Sequence, residues 1–122
     1  RGDAEALATA TNVGNSLLAR AVTEGEALHW DKQVEIIYGT AGTALFLLDL
    51  AAACDDAAAA ARFRNGAKAA GRHLIAESAV HEAKPAQRSW RWQLANNKSY
   101  TGFSHGTAGV AYALLRIGLE CQ

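Results

Sequence analysis

The sequence predicts an all-α fold of stacked helical hairpins, and three observations support this prediction. Proline occurs once among the 122 residues, at Pro85, while alanine is abundant, and such a composition favours helices over sheets. Four segments either repeat apolar residues at helical spacing or are apolar almost throughout. A glycine-containing helix start, G-T-A-G, begins at Gly39 and again 67 residues later at Gly106.

The first two predicted helices differ in how much of their surface is apolar. The first runs from about residue 3 to 23 and is an outer helix with one approximate apolar face. That face consists of Leu7, Val13, Leu17, Leu18 and Val22. The second helix begins near Thr40 and continues to about Cys54, apolar nearly all round apart from Asp49. A helix of this kind is buried on most sides.

The third predicted helix is amphipathic. It follows Asp55 and Asp56, acidic residues that suit a helix N-terminus, and continues toward Val80. Its apolar positions recur at spacings of four, three and four residues, as expected for a helix with one buried face. These positions are Phe63, Ala67, Ala70 and Leu74.

The fourth predicted helix runs from Thr107 to about Leu119 and is again mostly apolar. Before it we predict a polar loop over residues 81–101, which contains Pro85. We expect the tryptophan pair in this loop, Trp90 and Trp92, to pack the loop onto the helices.

The repeated G-T-A-G predicts buried inner helices, each opened by a glycine turn. Small residues at a helix N-terminus allow neighbouring backbones to approach closely. We also expect the first N–H groups of these helices to stay uncovered and to line an electropositive cup for a ligand. In the repeat, His105 of the second copy occupies the position of Tyr38 in the first.

Charge and apolar patterning exclude several classes of function. Lys and Arg number 12, as do Asp and Glu, and no basic stripe is present, so nothing indicates a nucleic-acid partner. No apolar stretch reaches the ~20 residues of a transmembrane helix. Cys54 and Cys121 form neither a disulfide framework nor a metal motif, which favours two small buried apolar residues in a reducing, cytoplasmic setting.

The two glycine helix starts, the second preceded by G-F-S-H at 102–105, resemble the lanthionine synthetase C-like (LanC-like) family. The resemblance covers roughly residues 30–118, and S-H-G-T-A-G-V-A is its most specific part. It implies an α/α toroid. We therefore expect residues 1–122 to form one partial toroid domain of a longer protein, with repeats at about 29–80 and 81–122 after the outer helix.

The resemblance also implies an activity. In the enzymes of this family, a zinc-bound cysteine thiolate of a precursor peptide adds to a dehydrated serine or threonine and leaves a thioether (lanthionine) ring. Zinc favours the thiolate, which is the nucleophilic form. The family's acid/base histidine corresponds to His105. The family usually has an aspartate four residues before the earlier glycine turn, and this chain has Glu35 there. His105 and Glu35 are therefore the candidate catalytic residues.

The zinc ion itself is expected to be held outside this chain. The family's ligands, a cysteine in a later W-C-x-G turn and a Cys-His pair in the next, have no counterparts here, so no metal ligand is assigned. His29, His73 and His81 lie outside the motifs, and we expect them at the surface or on helix faces. Whether a kinase-like or dehydratase domain is fused to this segment in the parent protein stays open.

Two alternatives to a cyclase stay open at this stage. The first is a LanC-like module that binds thiols or peptides without catalysis, which is consistent with Glu35 in place of aspartate. The second is a carbohydrate-active α/α toroid, which also stacks helical hairpins around a cup. That enzyme needs paired catalytic carboxylates, and the sequence offers only Glu35 near a turn.

Overall fold

The computed structural model describes residues 2–84, 87–94 and 96–122, with the backbone alone at 80–84 and 87–88. Within these residues the fold is mostly helical, as predicted. The elements in chain order are α1 (Gly2–Arg20), β1 (Val22–Glu24), β2 (Ala27–His29), α2 (Thr40–Ala53), α3 (Ala57–Ala76), β3 (Ala79–Lys84), β4 (Gln87–Arg91) and α4 (Thr107–Glu120). None of the helices described is long and apolar enough to cross a membrane.

Helix α2 is the centre of the core, and α1, α3 and α4 all pack against it. Leu47 and Leu48 of α2 are fully buried, in agreement with the prediction of an inner helix. All four apolar positions predicted for α3 are buried as well, with Phe63 and Leu74 among the largest enclosed side chains. Arg116 of α4 donates a 2.9 Å hydrogen bond to Asp49 of α2, so the two G-T-A-G helices are also joined at the surface.

The loop before each G-T-A-G helix folds back onto the helix start. In the first repeat, the N–H groups of Thr40 and Ala41 donate to the carbonyls of Gln33 and Val34 at 3.0 and 3.1 Å. In the second, Thr107 and Ala108 make the equivalent bonds to the carbonyls of Tyr100 and Thr101 at 2.8 and 3.4 Å. The expectation of uncovered N–H groups was therefore wrong, because the preceding loop satisfies them.

The glycines of the motif are required by this same loop. A Cβ at Gly42 would collide with the carbonyl oxygen of Ile36, and a Cβ at Gly109 would collide with that of Phe103. The close approach predicted for the motif is thus made by the loop of the same repeat, with a further contact from Ile36 to Gly109.

A short hairpin replaces the end of the predicted first helix. Helix α1 stops at Arg20 rather than near residue 23, and β1 pairs with β2 in antiparallel register. Gly25, with φ of 61°, forms the turn between them. Trp30, which follows β2, donates a 2.6 Å hydrogen bond to the carbonyl of Leu17 and ties the hairpin to α1.

A second hairpin lies within the predicted 81–101 loop, so that prediction was wrong in part. Helix α3 ends at Ala76 and not near Val80, because Ser78 folds back to the carbonyl of Ile75 through both its N–H and its hydroxyl. Strands β3 and β4 then pair, with Val80 opposite Trp90. Pro85 and the side chain of His81 lie outside the described residues.

The two tryptophans of this segment have different roles. Trp92 is buried and donates a 2.6 Å hydrogen bond to the carbonyl of Leu74, near the end of α3. Trp90 is half exposed. Of the expected pair, Trp92 is therefore the residue that packs this segment onto the helices.

Gly109→Ala is expected to lower the free energy of unfolding by about 1–3 kcal/mol, because the new methyl group is forced against the Phe103 carbonyl. Gly118→Ala is the matched control in the same helix. Its Cβ meets open space, so alanine's helix propensity should raise stability by about 0.5–1 kcal/mol. Denaturant melts measure both values, and destabilisation of equal size in both variants would contradict the close-approach account.

Candidate functional site

Glu35 is a buried carboxylate held by the loop that precedes α2. Its side chain is 2% exposed. Oε1 accepts a hydrogen bond from the N–H of Tyr38 at 2.5 Å, and Oε2 accepts one from the N–H of Ile37 at 3.0 Å. These backbone donors offset part of the cost of burying the charge and fix the carboxylate in place.

The second repeat brings His105 to this carboxylate. The distance from His105 Nδ1 to Glu35 Oε2 is 2.7 Å, although 70 residues separate the two in the chain. A backbone bond of 3.2 Å from the N–H of Ile36 to the carbonyl of Ser104 joins the two loops beside this contact. The structure therefore places the two sequence-predicted catalytic residues together, and the longer stem of glutamate still reaches the histidine.

The contact gives the two nitrogens of His105 different roles. A carboxylate only accepts hydrogen bonds, so Nδ1 donates to Glu35 and Nε2 of the neutral ring keeps its lone pair. An imidazole oriented in this way can accept a proton at Nε2, and the carboxylate then stabilises the imidazolium. The His105 side chain is 51% exposed, so the ring is open to a bound molecule.

A cleft of about 590 Å³ lies beside the pair. Its lining residues come from the loops that precede α2 and α4 and from the segment after β4. They are Gln33, Glu35, Tyr38, Leu94, Asn96, Tyr100, Thr101, Gly102, Phe103, Ser104 and His105. Most of the wall is apolar, and its polar lining includes the hydrogen-bonded pair Glu35 and His105. This combination of an apolar wall and a few fixed polar groups is typical of a ligand site.

Two lining residues were not singled out as site residues from the sequence. Tyr38 stacks on His105, with ring centroids 6.2 Å apart and an angle of 23° between the ring planes. The repeat alignment, which pairs these two positions, was the signal that could have identified it. Gln33 has a buried Oε1 without a hydrogen-bond partner among the described residues, and no sequence signal indicated this.

Among the histidines and cysteines whose side chains the structure describes, His29, His73, Cys54 and Cys121 lie outside this cleft. His73 is on a helix face but is buried, and burial together with the nearby His29 lowers its pKa. Cys54 and Cys121 are half-buried rather than fully buried. Burial raises the pKa of the Cys121 thiol, which keeps it in the less reactive protonated form.

The cleft residues do not fit the zinc ion that the resemblance implies. Glu35 and His105 offer two donors, and a protein zinc site needs at least three. Among the side chains that the structure describes, three of metal-ligating types lie close together at another place, formed by Glu24, His29 and His73.

The chain belongs to the lanthionine synthetase C-like protein family, whose family model matches residues 4–120. The match covers nearly the whole chain and includes both glycine repeats. No curated protein and no solved structure is significantly similar to the chain.

A double-mutant cycle measures the contact between the two site residues. Glu35→Gln is expected to cost about 1–3 kcal/mol of unfolding free energy, since it weakens hydrogen bonds to a buried charged acceptor. Combined with His105→Asn, it should show a coupling energy of about 0.5–3 kcal/mol in denaturant melts. Glu5→Gln, on the exposed surface of α1, serves as the control and should change stability by less than about 0.5 kcal/mol. A coupling energy of zero would contradict the contact.

Proposed function

We propose that this chain supplies the proton-transfer residues of a LanC-like peptide cyclase. The reaction adds a cysteine thiol of a precursor peptide to a dehydrated serine or threonine and forms a thioether ring. The observation that carries the proposal is the 2.7 Å hydrogen bond that orients His105 through Glu35. Family membership supports the same reaction class.

The reaction requires the movement of one proton. The thiol loses its proton, sulfur bonds to the β-carbon of the dehydrated residue, and the electrons of the carbon–carbon double bond form an enolate. The enolate then takes a proton at the α-carbon. A neutral imidazole that accepts a proton at Nε2 and returns it as imidazolium serves either step, and His105 has the required orientation.

Glu35 acts in this scheme as a positioning residue. It contacts His105, and the backbone N–H groups of Ile37 and Tyr38 hold its two carboxylate oxygens in place. The zinc ion that the family implies would favour the thiolate of the peptide.

The cleft suits a peptide segment. Its apolar wall accepts side chains, and Gln33 would offer its buried, unpartnered Oε1 to a backbone N–H after its side chain turns toward the cleft. A buried acceptor without a partner is costly, so a peptide N–H at this position would recover that cost. On this basis Gln33→Leu is expected to raise KM more than it lowers kcat.

The test uses the full-length protein and a dehydrated peptide with one cysteine and one dehydroalanine. Thiol alkylation followed by mass spectrometry counts the rings, because a ring removes one alkylatable thiol. His105→Asn should lower kcat by about 100-fold or more, the range of general acid–base catalysis, with unchanged zinc content and a loss of stability no larger than the coupling energy of its contact with Glu35. Glu35→Gln should lower kcat less, because it removes only the orientation of the ring.

Unchanged ring formation by the His105→Asn variant would overturn the assignment of this residue. Peptide binding by the wild-type protein without any ring formation would favour the second candidate, a binding module. The buried carboxylate of Glu35 and the free acceptor of Gln33 are compatible with that role too, and the ring count separates the two functions.

A further inference from the structure

A second group of ionisable side chains lies where the first hairpin meets α3. Arg72 of α3 holds the turn of the hairpin, with Nη1 donating to the carbonyl of Glu26 at 3.3 Å and Nε 3.4 Å from its carboxylate. The register pairs Val22 with His29 and Glu24 with Ala27. Glu24 and His29 are therefore diagonal neighbours on one face of the hairpin.

His29 has the hydrogen bonding of a metal ligand. Its Nδ1 lies 3.3 Å from the carbonyl oxygen of Asp31. A carbonyl only accepts hydrogen bonds, so Nδ1 carries the hydrogen and Nε2 of the neutral ring has a free lone pair. This Nε2 is buried, makes no hydrogen bond with a described residue and lies 3.4 Å from Oε1 of Glu24. Two electron-pair donors that face each other at this distance need a positive charge between them, which either a proton on the ring or a bound metal ion supplies.

His73 supplies a third donor from α3. The residue is 6% exposed, and its Nε2 is buried without a hydrogen-bond partner among the described residues. Its ring stacks on that of His29, with centroids 4.5 Å apart and ring planes at 17°. A buried nitrogen without a partner is uncommon in proteins and costly, and a ligand bound to this nitrogen would explain it.

We propose that Glu24, His29 and His73 bind a Zn²⁺ ion that fastens the β1–β2 hairpin to α3. One ligand atom from each residue lies within 4.8 Å of the other two. Tetrahedral zinc places its ligand atoms about 3.3 Å apart and lies in the plane of each imidazole it binds. Closure therefore draws the ligand atoms together by up to about 1.5 Å and turns the stacked rings of His29 and His73 toward the ion. Two imidazoles and one carboxylate are a zinc donor set, whereas calcium and magnesium prefer oxygen alone.

The fourth coordination position is expected to hold water. The Glu24 side chain is 66% exposed, so the site opens to solvent on that side and an ion can enter. None of the three residues lines the cleft beside His105. The site is therefore independent of the proposed cyclase chemistry, and either proposal can fail without the other.

The test is a titration of the chelator-treated, desalted protein with Zn²⁺ in competition with a metal indicator dye. Glu24→Gln, His29→Gln and His73→Gln should each weaken binding at this site by about 100-fold or more. Glu26→Gln, on the same hairpin, is the matched control and should change affinity by less than about twofold. His105→Asn should leave binding at this site unchanged.

Cobalt(II) gives a second readout that does not depend on affinity. Its bound form should show the visible bands of a four-coordinate site with nitrogen and oxygen ligands, and these bands should disappear in the His29→Gln variant.

Because Glu24 is exposed, Glu24→Gln is expected to stay folded even if His73→Gln does not, and circular dichroism checks both. Absence of saturable zinc binding, or wild-type affinity in the folded Glu24→Gln and His29→Gln variants, would overturn the proposal.

Discussion

The structure depends on the way the loop before each G-T-A-G helix, α2 and α4, folds back onto the start of that helix. At Gly42 and Gly109 a carbonyl oxygen of the loop occupies the space of a Cβ. The same loop supplies the carbonyls that accept the first N–H groups of the helix. With no side-chain cap hydrogen bond at Gly39 or Gly106, these backbone bonds satisfy the N–H groups of the helix start.

This constraint also creates the candidate site. A loop held against its helix has few conformations, so the residues on it are placed with little freedom. The first loop places Glu35 inside the protein, and the second presents His105 to it at 2.7 Å. The two loops are related by the repeat, yet they differ in the residues that matter chemically: Tyr38 and His105 occupy equivalent positions, and only the histidine can transfer a proton near neutral pH.

The sequence was a good guide wherever regular spacing or a repeat carried the information. The helical period predicted the buried face of α3, and the G-T-A-G repeat predicted the starts of α2 and α4 to the residue. The repeat and the family resemblance together singled out Glu35 and His105. What the sequence could not show was their contact, because no spacing rule relates residues 70 positions apart in two loops.

The two hairpins and the histidine pair were beyond sequence analysis for a related reason. Strands of three residues, such as β1 and β2, are too short to show an alternating pattern. Each is defined by pairing with another segment, and pairing is a tertiary property. The stacking of His29 on His73 depends on how the first hairpin docks on α3, so neither residue looked unusual alone.

Glu35 is expected to fix the tautomer of His105 through their 2.7 Å hydrogen bond. Nitrogen NMR shifts of the neutral His105 ring measure which nitrogen carries the hydrogen. We expect the hydrogen on Nδ1 in the wild-type protein and a shift toward the Nε2–H form in the Glu35→Gln variant. A ring with its hydrogen on Nε2 in the wild-type protein, or a tautomer population that Glu35→Gln leaves unchanged, would contradict it.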